Sequence, residues 1–337
     1  MSSFNLSHYP ETNISRFHEF QAPKLVAILN ITAIVTVLLA TCFNIFILTT
    51  FAKFPKLLTP FTIHTVNLII IDILGSLIYA PIHGLRSINR DLFRVTPLCS
   101  AHNYLHWVFP ALALSQHAII CLDRWLALVA PVYYRQRKTV TSGIVATLCA
   151  VVYINAWLLP VFIADYYHEK PPGEYCDNMR TWPLYRTVVR ITTAFIPQGI
   201  MYFSYPVLTW LISKRRSKVA TLQPTNVMTA VERTVVEQPE IQERKSTLAR
   251  ATSPTQWKKG TRLVLWLIVA QFVLWAPTNI TSLMTGNGVQ LMYLNDLNSI
   301  SHCLGGLLMI ADVIITLKFL PNLRKAVADH FRQIFRR

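Results

Sequence analysis

Two aspartates occupy places where an apolar chain tolerates them least. Asp72 and Asp312 each lie within a long run of apolar residues. If those runs sit in a bilayer, an idle carboxylate there costs roughly 2.5–3.5 kcal/mol. Side by side they would repel, so one keeps its proton or both share a cation; plain hydrogen bonding between helices is the alternative. Asn44 is a further polar residue inside an apolar run. A second charged pair, Asp123-Arg124, closes another apolar block, where an arginine that merely snorkels to an interface is the alternative to a functional one. Cys99 and Cys176 fall in polar connections, whereas Cys42, Cys121, Cys149 and Cys303 lie in apolar blocks as small hydrophobes. No nucleophile with a base at helical spacing and no histidine-rich metal cluster occurs, so an enzyme is not expected.

The runs that carry these residues have the composition of membrane spans. Of 337 residues 53% are hydrophobic and 14% charged, with a mean hydropathy of +0.37; a soluble domain carries about 25% charged residues. A hydrocarbon core of roughly 30 Å needs about 20 apolar helical residues. Seven stretches qualify, at about 25–52, 60–86, 97–129, 141–164, 184–213, 259–286 and 293–317. The expected fold is therefore an all-α bundle of seven transmembrane helices (residues 25–317). Pro81, Pro110, Pro160, Pro197 and Pro277 fall within spans, which neighbouring helices make tolerable.

The net charge of +16 does not point to nucleic acid, because the basic residues sit between the apolar runs. With the N-terminus outside, the inner connections hold 23 of the 32 basic residues, the asymmetry that sets orientation. Residues 1–24 are then extracellular, and Asn5 and Asn13 head glycosylation sequons there. Segment 214–256, polar and broken by Pro224, Pro239 and Pro254, reads as a disordered inner loop. Within 318–337, Leu320, Leu323, Val327, Phe331 and Ile334 recur at helical spacing beside basic residues, so an amphipathic helix should lie on lipid at the inner leaflet.

The third run ends Cys121-Leu-Asp-Arg-Trp-Leu-Ala-Leu-Val-Ala-Pro-Val-Tyr-Tyr134, and Arg124 follows Cys99 by 25 residues. Twenty-five helical residues rise roughly 37 Å, which places one residue at each surface. This run resembles the Asp-Arg-Tyr region of rhodopsin-like (class A) G-protein-coupled receptors, with Trp125 in place of the tyrosine. Asn44, Asn67-Leu-Ile-Ile-Ile-Asp72, the Pro197/Tyr205 pair and Trp275-Ala-Pro277 resemble the family's first, second, fifth and sixth spans. The resemblance covers about residues 25–335. It departs in the seventh span, where Asp312-Val-Ile-Ile-Thr316 stands for Asn-Pro-x-x-Tyr. The fourth span lacks a clear counterpart of the family tryptophan, and Pro110 and His117 are unusual in the third.

The resemblance implies a disulfide between Cys99 and Cys176, holding a lid over the outer face. It implies an allosteric sodium ion at Asp72, to which Asp312 adds a second carboxylate, and no other cofactor. It makes Asp123, Arg124, Tyr205, Trp275 and Pro277 the activation switch, with Arg124 paired to Asp123 at rest and swinging toward Tyr205 on activation. His106, Trp107, Thr278, Asn279, Ser282 and His302 are the implied ligand pocket. His106 stands where amine receptors carry an aspartate, and Gly306 where opsins carry the retinal lysine, so a peptide or a neutral polar ligand is expected. The implied partners are a heterotrimeric G-protein and arrestin, the latter through the Ser/Thr-rich loop 214–256, at the plasma membrane. The competing readings are a receptor-like decoy or partner subunit that no longer couples, and a seven-span transporter or channel; no internal repeat supports the last.

Overall fold

The computed structural model describes residues 23–94, 96–167, 183–221, 254–286 and 294–336. Seven long helical stretches follow one another. The first is Pro23–Lys53; the second runs over 62–88, the third over Thr96–Val129 and the fourth over Val140–Tyr167. The fifth runs over 183–221, the sixth over Pro254–Gly286 and the seventh over Leu294–Phe319. An inner-loop helix, Pro131–Arg137, links the third and fourth spans, and a terminal helix, Pro321–Phe335, follows the seventh. No strand occurs among the described residues.

Five of these helices are long and apolar enough to cross a membrane by themselves: Ile31–Lys53, Thr62–Arg86, Pro97–Val129, Val140–Ala164 and Arg262–Met284. The fifth span falls short because Arg186, Arg190, Thr192, Thr193 and Gln198 occupy its outer half. The seventh passes only together with the terminal helix, from which a 105° bend separates it. That bend sits at Leu320, whose backbone is held out of the helical region by Pro321 behind it.

Local chemistry sets where spans start and how they turn. Thr59 and Thr62 cap each other, each backbone N–H donating to the other's hydroxyl at 2.8 and 3.1 Å. Thr139 and Ser142 repeat this at the fourth span, the reciprocal arrangement of a capping box. The second and fifth spans each widen into a π turn, Gly75–Tyr79 and Ile191–Phe195, just before Pro81 and Pro197. Proline cannot complete the backbone ladder, and a wide turn absorbs the misfit. Side-chain hydroxyls take up nearby carbonyls: Ser76 donates to Ile73, Thr192 to Val188 and Thr193 to Val189. Each turn re-aims the outer end of its span, and those ends carry Tyr79, His83, Arg86 and Arg190.

The third span is the central post, touching the second, fourth, fifth and sixth. A hydrogen-bonded chain ties three of them together: Asn67 Nδ2 donates to the Thr147 hydroxyl (2.7 Å), Thr147 to Gln116 Oε1 (3.0 Å), and Gln116 Nε2 to the His64 carbonyl (2.8 Å). Thr147 thereby anchors the fourth span. The outward faces are apolar and exposed, as at Leu38, Val152, Phe203, Phe272 and Ile280, the inverse of a soluble protein and the surface lipid requires. Residues 1–22, 95, 168–182, 222–253, 287–293 and 337 lie outside the described residues, so Asn5, Asn13, Cys176 and most of the inner loop 214–256 are not placed.

Candidate functional site

Charged and polar side chains inside the bundle gather at three levels. At the inner end Asp123, on the third span, is almost wholly buried. Its Oδ2 lies 2.5 Å from Arg124 Nη2 and accepts from the Tyr134 hydroxyl at 2.9 Å. Its Oδ1 lies 3.2 Å from Lys138 Nζ and 3.4 Å from His64 Nε2 of the second span. Arg124 donates to the Tyr134 oxygen (2.8 Å) and stacks 3.7 Å over the Phe61 ring. One carboxylate thus gathers the second span, the third span and the inner-loop helix. Burial raises the Tyr134 phenol above its ordinary value; Arg124 opposes the rise and Asp123 adds to it, so the hydroxyl remains a proton donor. Tyr205 lies apart, half-buried in an apolar cluster with Met201, Leu208 and Val264.

At mid-depth, Asp72 and Asp312 are each 4% exposed and Asn44 1%. His117, from the third span, brings Nε2 to 3.0 Å from Asp312 Oδ2. Its Nδ1 lies 2.8 Å from the Ala113 carbonyl. A carbonyl only accepts, so Nδ1 carries a hydrogen. Nε2 and Asp312 then hold one further proton between them, as imidazolium beside carboxylate or imidazole beside acid, and either way the pair is neutral. Asp72 is close enough to interact electrostatically with both. Asn44 Oδ1, Asp72 Oδ2 and Asp312 Oδ1 are buried oxygens with no hydrogen-bond partner among the described residues. An acceptor set made only of carboxyl and amide oxygens fits a hard monovalent cation such as sodium, with Asp72, Asp312 and Asn44 as the groups to hold it.

Above this level Trp275 packs closely against the seventh span: a Cβ built on Gly305 would meet Cε3 and Cζ3 of its ring at 3.0 Å. Pro277 sits within the same sixth helix. Thr278 is spent on helix contact, donating to the Ser301 carbonyl at 2.8 Å. Asn279 Nδ2 is buried without a hydrogen-bond partner, and Ser282 is half-buried. The side chain of His302 lies outside the described residues.

The outer end is dominated by nitrogen donors. Arg86 Nη1 approaches His102 Nδ1 at 3.1 Å, slightly nearer than the Asn103 Oδ1 at 3.3 Å. A guanidinium can only donate, so the His102 proton sits on Nε2, which faces His83 Nδ1 at 3.2 Å. The Tyr79 hydroxyl lies 3.2 Å from His83 Nδ1 and 2.7 Å from His106 Nδ1. The three imidazoles stack nearly parallel, 10–16° apart. His106 therefore engages the second span, whereas its neighbour Trp107 meets Arg190 of the fifth, whose guanidinium carbon lies 5.4 Å from the indole centroid. Cys99 is buried and disulfide-bonded.

Several of these residues were not singled out from sequence. His64, Lys138 and Tyr134 gave no signal beyond their nearness to spans. Tyr79, His83 and Arg86, spaced four and three apart, do carry one, and so does His102, four residues before the pocket residue His106. Each set shares a helix face, and facing polar stripes on consecutive spans are a legible pairing.

The described architecture is that of a multi-pass receptor bundle. The profile of the family described as "7 transmembrane receptor (rhodopsin family)" matches residues 43–321, and the chain belongs to that family, a class of receptors and not of enzymes. The histamine H1 receptor of Bos taurus is 23% identical to it over 194 residues; the match covers 56% of this chain and 38% of that relative's length.

Proposed function

We propose that the chain is a signalling receptor of the plasma membrane with its N-terminus outside. It binds an extracellular ligand, a peptide in preference, within the outer half of the bundle, and activates a heterotrimeric G-protein as the inner end of the sixth span moves outward. The observation that supports this best is the clamp on Arg124. Its partners Asp123, Tyr134 and Phe61 come from the second and third spans and the inner-loop helix, and among the described residues none comes from the sixth. The sixth span is therefore free to move without first breaking an ion pair to the arginine. Agonist-free activity follows from this arrangement.

The remaining assignments follow the same reading. A Cys99–Cys176 disulfide holds the second outer loop, and Asn5 and Asn13 carry glycans. Trp275 and Pro277 form the toggle beneath the ligand. Sodium held by Asp72, Asp312 and Asn44 supplies a positive charge that favours the resting packing. Arrestin reads phosphates placed on the Ser/Thr-rich loop 214–256. The bovine relative is named for histamine; here His106 stands where amine receptors carry aspartate, and an amine is not proposed.

The test is nucleotide exchange on purified G-protein by the reconstituted receptor, with and without a peptide and small-molecule library. Exchange above receptor-free vesicles that Arg124→Ala abolishes supports the reading; none under any condition overturns it. That outcome would favour a second reading, a receptor-like protein that no longer couples, for which the altered run Asp312-Val-Ile-Ile-Thr316 speaks.

A further inference from the structure

Arg190 is a half-buried cation with no carboxylate partner among the described residues. It faces the Trp107 ring, and the Trp107 indole N–H is itself buried without a hydrogen-bond partner. Half-burying a guanidinium and fully burying a donor are both unfavourable unless something accepts from them. Higher in the bundle than Asp72 and Asp312, the buried side-chain atoms without partners are the Ser100 hydroxyl and a set of N–H groups. The indoles of Trp107 and Trp275 are unambiguous in this, and the Asn279 amide presents its Nδ2. At mid-depth the unpartnered carboxyl and amide atoms are acceptor oxygens instead. On the other side of the third span, a hydrogen-bonded chain runs from Arg86 through His102 and His83 to Tyr79 and His106. An ammonium group beside Arg190 would meet repulsion. An oxyanion would satisfy the guanidinium and the indole N–H together, in the charge-assisted geometry that arginine favours.

We propose that the ligand of this receptor carries an oxyanion, a carboxylate or phosphate, bound by the Arg190 guanidinium with the Trp107 N–H as second donor. This rests on the outer half of the bundle being the ligand site and sharpens the ligand's class. For a peptide, the group is a free C-terminal carboxylate; for a small molecule, an acid head.

The test uses the full-length receptor, purified in detergent, and its thermal-unfolding midpoint. The probes are matched sets: hydrocinnamic acid, its primary amide and phenethylamine, then tetrapeptides ending in Phe or Leu, each as free acid and as C-terminal amide. The acids of one or both sets raise the midpoint of the wild type; amides and amines do not. The two sets separate a small acid from a peptide terminus. Arg190→Gln weakens the response by roughly tenfold or more, Arg190→Lys by less, and Trp107→Phe, which keeps the ring and removes the donor, by an intermediate amount.

A second readout needs no ligand. A cation kept for binding does not support the empty fold, so Arg190→Gln leaves the ligand-free midpoint unchanged or higher, whereas a structural arginine lowers it. Amides or amines acting as well as acids, no response to any acid, or a response untouched by Arg190→Gln overturns the proposal. Stabilisation by acids without nucleotide exchange would overturn the coupling reading and leave the ligand class standing.

Discussion

His117 Nε2 lies 3.0 Å from Asp312 Oδ2 in the middle of the bundle, with side-chain exposures of 1% and 5%. The family's seventh-span Asn-Pro is absent here, and a carboxylate stands in its place. The unusual histidine of the third span supplies the compensation, so two departures from the family pattern are one feature. Because the pair is neutral, Asp312 adds no net charge beside Asp72.

The single variants should therefore be unequal. His117→Ala leaves Asp312 near Asp72 without its imidazole partner, and breaking a buried pair in this way costs about 3–5 kcal/mol. Asp312→Asn leaves a neutral imidazole beside an amide and costs less, and the double variant recovers much of the loss. His117→Ala should also gain a rise in thermal midpoint with added sodium larger than that of the wild type, since two carboxylates then need an external cation. Equal losses from the two single variants, or an unchanged sodium response in His117→Ala, would count against the neutral pair.

Tyr134 is the hinge pin of the inner clamp, donating to Asp123 and accepting from Arg124 through one oxygen. Tyr134→Phe keeps the ring and deletes both bonds. Each bond to a charged group is worth about 1.5–3 kcal/mol, part of which Lys138 and His64 can recover at Asp123. The expected outcome is several-fold faster ligand-free nucleotide exchange and a lower thermal midpoint. Exchange equal to wild type would show that the hydroxyl does not restrain Arg124.

What could be read from sequence follows from where the physical constraint lies. Cys99 and Arg124 mark the two ends of the third span because helical rise converts residue count into depth. Asp72 and Asp312 were visible because charge in an apolar run has a cost whatever the partner. The partner was not visible: His117 and Asp312 are distant in sequence, and a lone histidine in an apolar helix gives no direction until the helices are packed. Arg190 lay inside a predicted span and counted only toward orientation. The widened turn Ile191–Phe195 lies between it and Pro197, and helical periodicity does not foresee such a turn. Thr278 shows another thing that sequence does not reveal. It has pocket chemistry and pocket depth, yet its hydroxyl is committed to Ser301.

Gly305 sets how closely the seventh span approaches Trp275. An added Cβ at 3.0 Å from two ring carbons, with Thr278 Oγ1 at 3.5 Å, forces the indole to shift by a few tenths of an ångström. Overpacking of this kind costs about 1–3 kcal/mol. Gly305→Ala should change ligand-free exchange with a modest loss of midpoint, and Gly305→Val should lower the midpoint further. If both variants match wild type in exchange and stability, Trp275 is not held by that face.

The terminal helix is docked by one buried polar contact with a defined direction. His330 Nδ1 lies 2.9 Å from the Thr50 hydroxyl, and that hydroxyl also donates to the Phe46 carbonyl at 2.9 Å. Thr50 has a single hydrogen, and the carbonyl can only accept, so His330 Nδ1 is the donor in the pair. Its ring stacks on Phe46 with centroids 5.1 Å apart and meets Phe54 edge-on. On the same helix Phe331, Ile334 and Phe335 are exposed, an apolar face suited to the inner leaflet. Thr50→Val removes the acceptor while keeping the shape and leaves a buried N–H unsatisfied, a cost of about 1–3 kcal/mol. His330→Phe removes donor and acceptor need together and keeps the stacking, so it should be the milder change although it alters the larger residue. Amide hydrogen exchange over 321–335 in nanodiscs measures this: faster exchange in Thr50→Val than in His330→Phe is expected. The reverse order would mean that ring stacking and lipid, and not the Thr50 contact, hold the helix in place.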